Sequence, residues 1–520
     1  GWYSTYAFAP ACTYGQWLSA LARMYAVTRD EPTRAKIDRM IRGYAATIEP
    51  EGRFYRHYRF PAYMFDKLNL GLTDAYVYAQ HPLALQVLAR TTDAVLPYLP
   101  PKAQPHQETP VRHGEDFTRH VDDESYTLPE NLFLAWQRTG DARYFELGKR
   151  FIFHEYFDPL SRGENALPGR HAYSHVNALS SAAASYLAMG ETKYFHAARN
   201  AFGFVQQQSY ATGGWGPREH FVTPGQGKLA ASLTNTHASF ETPCGSYAHF
   251  KIARYLMRIT GDSRYGDSME RVLYNTVLGA KPILPDGSAF YYSDYNFKGV
   301  KVYHGAKWPC CSGTLPQIAA DYRISAYFRG SKGVYVNLYT PSTLRWNGYR
   351  GQFSLRQTSD YPYDSQIRLD VTASAPAVFS VFLRIPEWAH GAAYMVNGMR
   401  GSRQVRPGSF APGSFVEVRR EWKTGDRIEL DLPFTSRLEP IDGENPDTVA
   451  LVAGPLALMA IESGGLEPGP VTRAALLGAR QTGPRAHEWT AGAGAGVLRL
   501  KPFLDIQEER YTTYLNVAQA

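Results

Sequence analysis

The spacing of apolar residues changes once along the chain, near residue 330, and that change limits the folds open to it. Before this point apolar residues recur at helical intervals, as in Tyr14, Trp17, Leu18, Leu21, Met24 and Tyr25, and again in Tyr247, Ile252, Tyr255, Leu256 and Ile259. After it the period falls to two. GVYVNLYT (333–340), VFSVFLRIPEW (378–388) and DRIELDLP (426–433) are short alternating or apolar runs separated by Gly, Pro and Asn. A helical half followed by antiparallel β structure is therefore expected, and 520 residues are more than one hydrophobic core usually serves.

Within the helical half, turns recur around Asp30, His81, Asp141, Glu191 and Asp262, each followed by a new amphipathic run. Helical hairpins repeated in this way bury their apolar faces only against neighbours, and about six of them close into an α/α toroid. The expected plan is an (α/α)6 barrel over residues 1–328, a β-sandwich over 329–445, and a second sandwich portion or β extension over 446–520. VALVAGPLALMAIE (449–462) reads as one buried strand and TAGAGAGV (490–497) as a flexible surface loop.

The 36 Tyr and 9 Trp suit a cleft that stacks sugar rings, although large cores also use Tyr. The net charge of +7 is spread out, without the Lys/Arg runs of a nucleic-acid or membrane patch, so no nucleic-acid partner is expected. No apolar stretch approaches the ~18 residues of a membrane span, and no leader is visible. A periplasmic or secreted setting is favoured over the cytoplasm. Oligomeric state is unreadable, and a homodimer stays open.

Three of the four cysteines, Cys244, Cys310 and Cys311, fall within FETPCGSY and KWPCCSG, and Glu241 precedes the first by three residues. One Glu and three Cys can fill a tetrahedral zinc site. Glu241 and Cys244 can share one side of a first helical turn, whereas Cys310 and Cys311, between Pro309 and Gly313, are expected in a turn. A vicinal disulfide, buried free thiols and a closed structural zinc site remain alternatives. Cys12 reads as a buried thiol in the first helix. In TGGWGPREHF, Glu219 follows a Gly-rich turn and can serve as the acid that glycoside hydrolysis requires; the plain alternative is a surface ion pair with Arg218.

At these residues the sequence resembles the β-L-arabinofuranosidase family, glycoside hydrolase family 127. The likeness runs from YGQWLSALARMYAVTRD through PAYMFDKLNLGLTDAY, GRHAYSHVN, TGGWGPREHF, FETPCGSYAHFKIARYL, GDSMERVLYNTVLGA and KWPCCSG to FLRIPEWA and VALVAGPLAL. The resemblance implies an (α/α)6 barrel with β-sandwich domains, zinc held by Glu241, Cys244, Cys310 and Cys311, Cys310 as nucleophile, and Glu219 as acid/base. It implies His171, Glu270 and Tyr292 as sugar-binding positions, with Trp308 as a wall beside the cysteines. The expected activity is retaining, exo-acting hydrolysis of an oligo- or polysaccharide. The chain departs from the family pattern at Pro243, inserted between Glu241 and Cys244, and at Asp66, where many relatives have His. Two other readings stand beside the hydrolase: a polysaccharide lyase on uronic-acid glycans, and a non-catalytic sugar-binding protein with structural zinc.

Overall fold

The computed structural model describes residues 11–56, 60–105, 124–304, 310–348, 351–400, 411–462, 471–493 and 496–518. Six helices form its inner ring: Cys12–Thr28, Pro61–Ala79, Leu128–Thr139, Ala172–Met189, Thr242–Thr260 and Cys310–Ile324. Each packs on the next, and the sixth returns to the first, so the ring closes. Glu31–Thr47, Ala84–Val95, Ala142–Arg150, Thr192–Gln206 and Arg264–Val272 follow the first five as outer partners. The inner helices are buried on nearly all sides, which explains their small residues; Gly15 and Gly71 lie where a Cβ would strike the backbone of the facing helix.

The five sequence-marked turns are the tight inner-to-outer connections. Asp30, Asp141 and Asp262 each accept a backbone N–H from the first turn of the outer helix, from Thr33 at 2.9 Å, Arg143 at 2.9 Å and Arg264 at 3.0 Å. Gly140, Gly190 and Gly261 supply the left-handed residue that ends the inner helices. These turns gather at the end of the ring opposite the expected site residues, which sit instead where the longer outer-to-inner returns enter the inner helices. The inner helices run parallel, so six N-termini converge on one mouth, and their dipoles favour negative charge there.

Past Ile324 the chain becomes β. A six-stranded sheet carrying Ser342–Gly348 and Gly351–Ser359 packs on a four-stranded sheet carrying Ala377–Ile385 and Ser414–Trp422. Trp346 and Phe353 of the first meet Phe379 of the second at ring distances of 5.6 and 5.3 Å. A third antiparallel sheet begins at Ser436–Pro440. Here the apolar run 449–462 forms two strands, Thr448–Ala453 and Leu456–Ile461, because Gly454 takes φ +55 and Pro455 completes a tight turn. The Gly/Ala-rich stretch is likewise no open loop: Trp489–Ala493 and Gly496–Pro502 pair as a hairpin. No helix among the described residues is long and apolar enough to cross a membrane.

Candidate active site

The mouth holds a cluster of one carboxylate and three sulfurs. Glu241 occupies the N-cap position of the fifth inner helix and Cys244 its first turn, with Pro243 among the first helical residues, where its missing N–H is harmless. Cys310 and Cys311 begin the sixth inner helix. They do not lie in a turn as their Pro and Gly neighbours suggest: Gly313 is helical, and its bare Cα lets Gln16 of the first helix pack against it. Ligand atoms of all four residues fall within 4.8 Å of one another, and all four are buried. The cysteines are free thiols.

Cys244 Sγ lies 3.4 Å from Cys310 Sγ and 3.3 Å from Cys311 Sγ, and Cys311 donates to Glu241 Oε1 at 3.3 Å. Such separations approach the edge of about 3.8 Å for a tetrahedron with ~2.3 Å metal–sulfur bonds. Glu241 Oε2 is buried without a hydrogen-bond partner among the described residues. An unpartnered carboxylate oxygen facing three thiols fits a thiophilic divalent ion, and zinc suits that donor set. Burial raises Cys244, Cys311 and Glu241, the last also through the nearby Glu219 charge. Cys310 moves the other way, because the hydrogen bond from Cys244 favours its anion.

Glu219 stands beside this cluster, its carboxylate within 4.8 Å of ligand atoms of Glu241 and His171. Arg218 and Glu219 are consecutive non-glycine residues in left-handed conformation, φ 54 and 65, following Gly216 at φ 73. Such backbone is costly and persists only when fixed from outside. Arg218 N donates to Ala238 O at 2.8 Å and Glu219 N to Gly216 O at 3.0 Å, while the Arg218 guanidinium is bound to Asn235 O and so does not pair with Glu219. The carboxylate receives Tyr292 OH on Oε1 and faces His171 Nε2 at 3.3 Å from Oε2. Tyr292 arrives through a two-stranded ribbon in which Glu241 pairs with Tyr292 and Phe240 with Ser293. Burial, then Glu219, pushes the Tyr292 hydroxyl above its ordinary range, so it stays a donor. Burial works against charge on His171, but Glu219 and Glu124 work for it, and the ring is carried up to about 9. The side chain of Glu219 is 20% exposed and that of His171 12%, whereas the cysteines below are 5% exposed or less.

The expected site residues do not all meet here. Trp308 lies outside the described residues. Glu270 is placed elsewhere, buried between the helical ring and the middle domain, where it accepts from Tyr361 OH at 2.7 Å, Arg384 at 2.5 Å and Trp388 Nε1 at 3.1 Å. Both oxygens of that carboxylate are engaged, Oε1 by Tyr361 and Arg384 and Oε2 by Trp388. Residues not foreseen do line the mouth: Gln16, Tyr63, Lys67 and Glu124 belong to the starts of the first three inner helices or the turn before them. Both polar atoms of the buried Gln16 amide lack hydrogen-bond partners among the described residues. Lys67 pairs with Asp66 at 2.8 Å, and Asp66 also accepts from Asn131 at 2.6 Å and Thr127 at 3.2 Å.

Comparison with known proteins bears on this site. The family model for the GH127 catalytic domain of β-L-arabinofuranosidases matches residues 10–323, and that for the GH127 middle domain matches 333–434. Among solved structures, a GH127 β-L-arabinofuranosidase from Geobacillus stearothermophilus T6 superposes with a TM-score of 0.74 at 18% identity, covering 98% of this chain and 91% of that one. A second GH127 β-arabinofuranosidase gives 0.75 at 19% identity, covering 99% and 89%. Curated proteins offer no significant match. The structural likeness establishes the shared architecture, and the two consecutive domain matches establish descent: the chain belongs to family GH127 and is a glycoside hydrolase.

Proposed function

We propose that the chain is a retaining, exo-acting glycosidase of β-L-arabinofuranosidase type, with Cys310 as nucleophile and Glu219 as acid/base. The observation that carries this reading is geometric: Glu241 lies within 4.8 Å both of the three sulfurs, Cys310 among them, and of the Glu219 carboxyl, so nucleophile and acid share one neighbourhood. The substrate class follows the family and the names of the two similar structures. Glu241, Cys244, Cys310 and Cys311 would hold zinc, whose charge keeps bound sulfurs deprotonated near neutral pH.

In the first step the Cys310 sulfur attacks the anomeric carbon, the bond to the departing oxygen breaks, and Glu219 gives that oxygen its proton. The product is a thioglycosyl enzyme. Glu219, now a carboxylate, then takes a proton from water as the water attacks the same carbon and the C–S bond breaks. Two displacements retain configuration. Tyr292 and His171 aim the Glu219 carboxyl and, with the unpartnered Gln16 amide, offer hydrogen bonds to sugar hydroxyls.

The test is a panel of aryl glycosides that includes α- and β-L-arabinofuranosides, with the product configuration followed by NMR. Release of the β-anomer from a β-linked substrate is expected, and loss of turnover in Cys310→Ser. Inversion, or undiminished turnover in Cys310→Ser, refutes the scheme. An unsaturated product from a uronate polymer would instead point to lyase chemistry.

A further inference from the structure

The two matched domains end at residue 434, yet the third sheet, which lies beyond them in the chain, is fastened directly to the candidate site. Tyr511 of this sheet donates its hydroxyl proton to Asp294 O at 2.7 Å, two residues beyond Tyr292, and its N–H to Gly299 O at 3.0 Å. Lys301 inserts its ammonium between Phe503 O at 2.6 Å and Ile506 O at 2.7 Å, over the Phe503 ring. Phe290, Met459, Ile461, Phe503, Ile506 and Tyr511 close a small apolar core around the same junction. On the other side, Tyr514 OH accepts from Ala211 N at 2.7 Å, in the turn leading to Glu219.

The ring holds the front of the Tyr292 segment, through Thr242 N to Tyr291 O at 2.8 Å and Tyr295 N to Ser239 Oγ at 2.8 Å, and the third sheet holds its continuation over 294–301. Between Val277 and residue 304 only Tyr292–Ser293 is strand, and a two-residue ribbon supplies few ladder bonds. We infer that the sheet domain beginning at Ser436 serves the reaction as a positioning domain, with Tyr511 and Lys301 as positioning residues that set Tyr292 against Glu219. This rests on the proposed role of Glu219 as acid.

The test compares two substrates of wild-type enzyme and variants: an arabinofuranoside with an activated aryl leaving group, which departs without protonation, and an alkyl arabinofuranoside, which needs the acid. Tyr511→Phe and Lys301→Met are expected to lower kcat on the alkyl substrate about tenfold, part of the 10²–10⁴-fold that a positioned acid supplies, with KM little changed and the activated substrate affected less than about twofold. Leu476→Ala, in the short helix Arg473–Leu477 of the same domain, lowers Tm but keeps the ratio of the two rates. Equal losses on both substrates, or none, in folded Tyr511→Phe and Lys301→Met overturn the inference. A wild-type enzyme that cleaves neither glycoside overturns the reading of the site itself.

Discussion

Replacing Glu270 by Ala separates two roles for a residue that the sequence assigns to sugar and the structure assigns to a domain junction. The carboxylate is 2% exposed and faces Arg384, which is fully buried. Breaking a buried ion pair from one side costs about 3–5 kcal/mol, and the hydroxyl of Tyr361 and indole N–H of Trp388 lose their acceptor at roughly 1 kcal/mol each. Arg384 retains Asp267, which offsets part of this loss, so about 4 kcal/mol is expected overall. Urea unfolding followed by tryptophan fluorescence measures it, with Trp388 at the junction as a reporter. Steady-state kinetics at low urea, where the variant stays folded, should give a KM within about threefold of wild type, since no transition-state contact is removed. Stability within about 1 kcal/mol of wild type together with a KM raised tenfold or more would refute the reasoning and return Glu270 to the substrate.

Three further outcomes are expected from the geometry. Burial raises Asp267 to about 6 despite Arg384, so the folded chain holds that proton more tightly than the unfolded one. Its contribution, roughly 3 kcal/mol, is complete below pH ~4 and is lost as the pH rises through 6; Asp267→Asn should flatten that slope in denaturation midpoints between pH 4 and 7. Cys244→Ala removes one of three sulfurs, and elemental analysis should find bound zinc falling from about one per chain to a small fraction, with a lower Tm. At Gly216, φ 73, an added Cβ would stand 2.4 Å from Ala172 Cβ; Gly216→Ala should cost about 1–3 kcal/mol and reduce kcat more than it raises KM, because it shifts Glu219 against His171.

Much of this architecture was legible because local physics governs it. Asp30, Asp141 and Asp262 mark helix starts through contacts two or three residues away, and the change of period at 330 reports a change of element, whatever packs on it. The convergence of the three cysteines was readable because the chain has only four, and Glu241 stands three residues before one of them at a helix entry. Contacts across long stretches of sequence were not readable. Glu270 looks like an ordinary helical glutamate until Arg384 and Trp388, over a hundred residues later, are folded against it. Gly454 and Pro455 split an apolar run that composition alone makes continuous. The helix at Cys310 was hidden because Pro309 and Gly313 in sequence suit a turn equally well; Gly313 is helical, with Gln16 packed where a side chain would stand.

The ribbon joining Glu241 to Tyr292 gears two functions together. One strand carries the carboxylate that faces the sulfurs, and the residue directly across from it carries the hydroxyl that steers the proton donor. The two stand opposite each other across a single rung, so one short ribbon serves both halves of the reaction. The rest of the mouth is built differently: Gln16, Lys67 and Glu124 come from separate parts of the ring, so no single element sets all three.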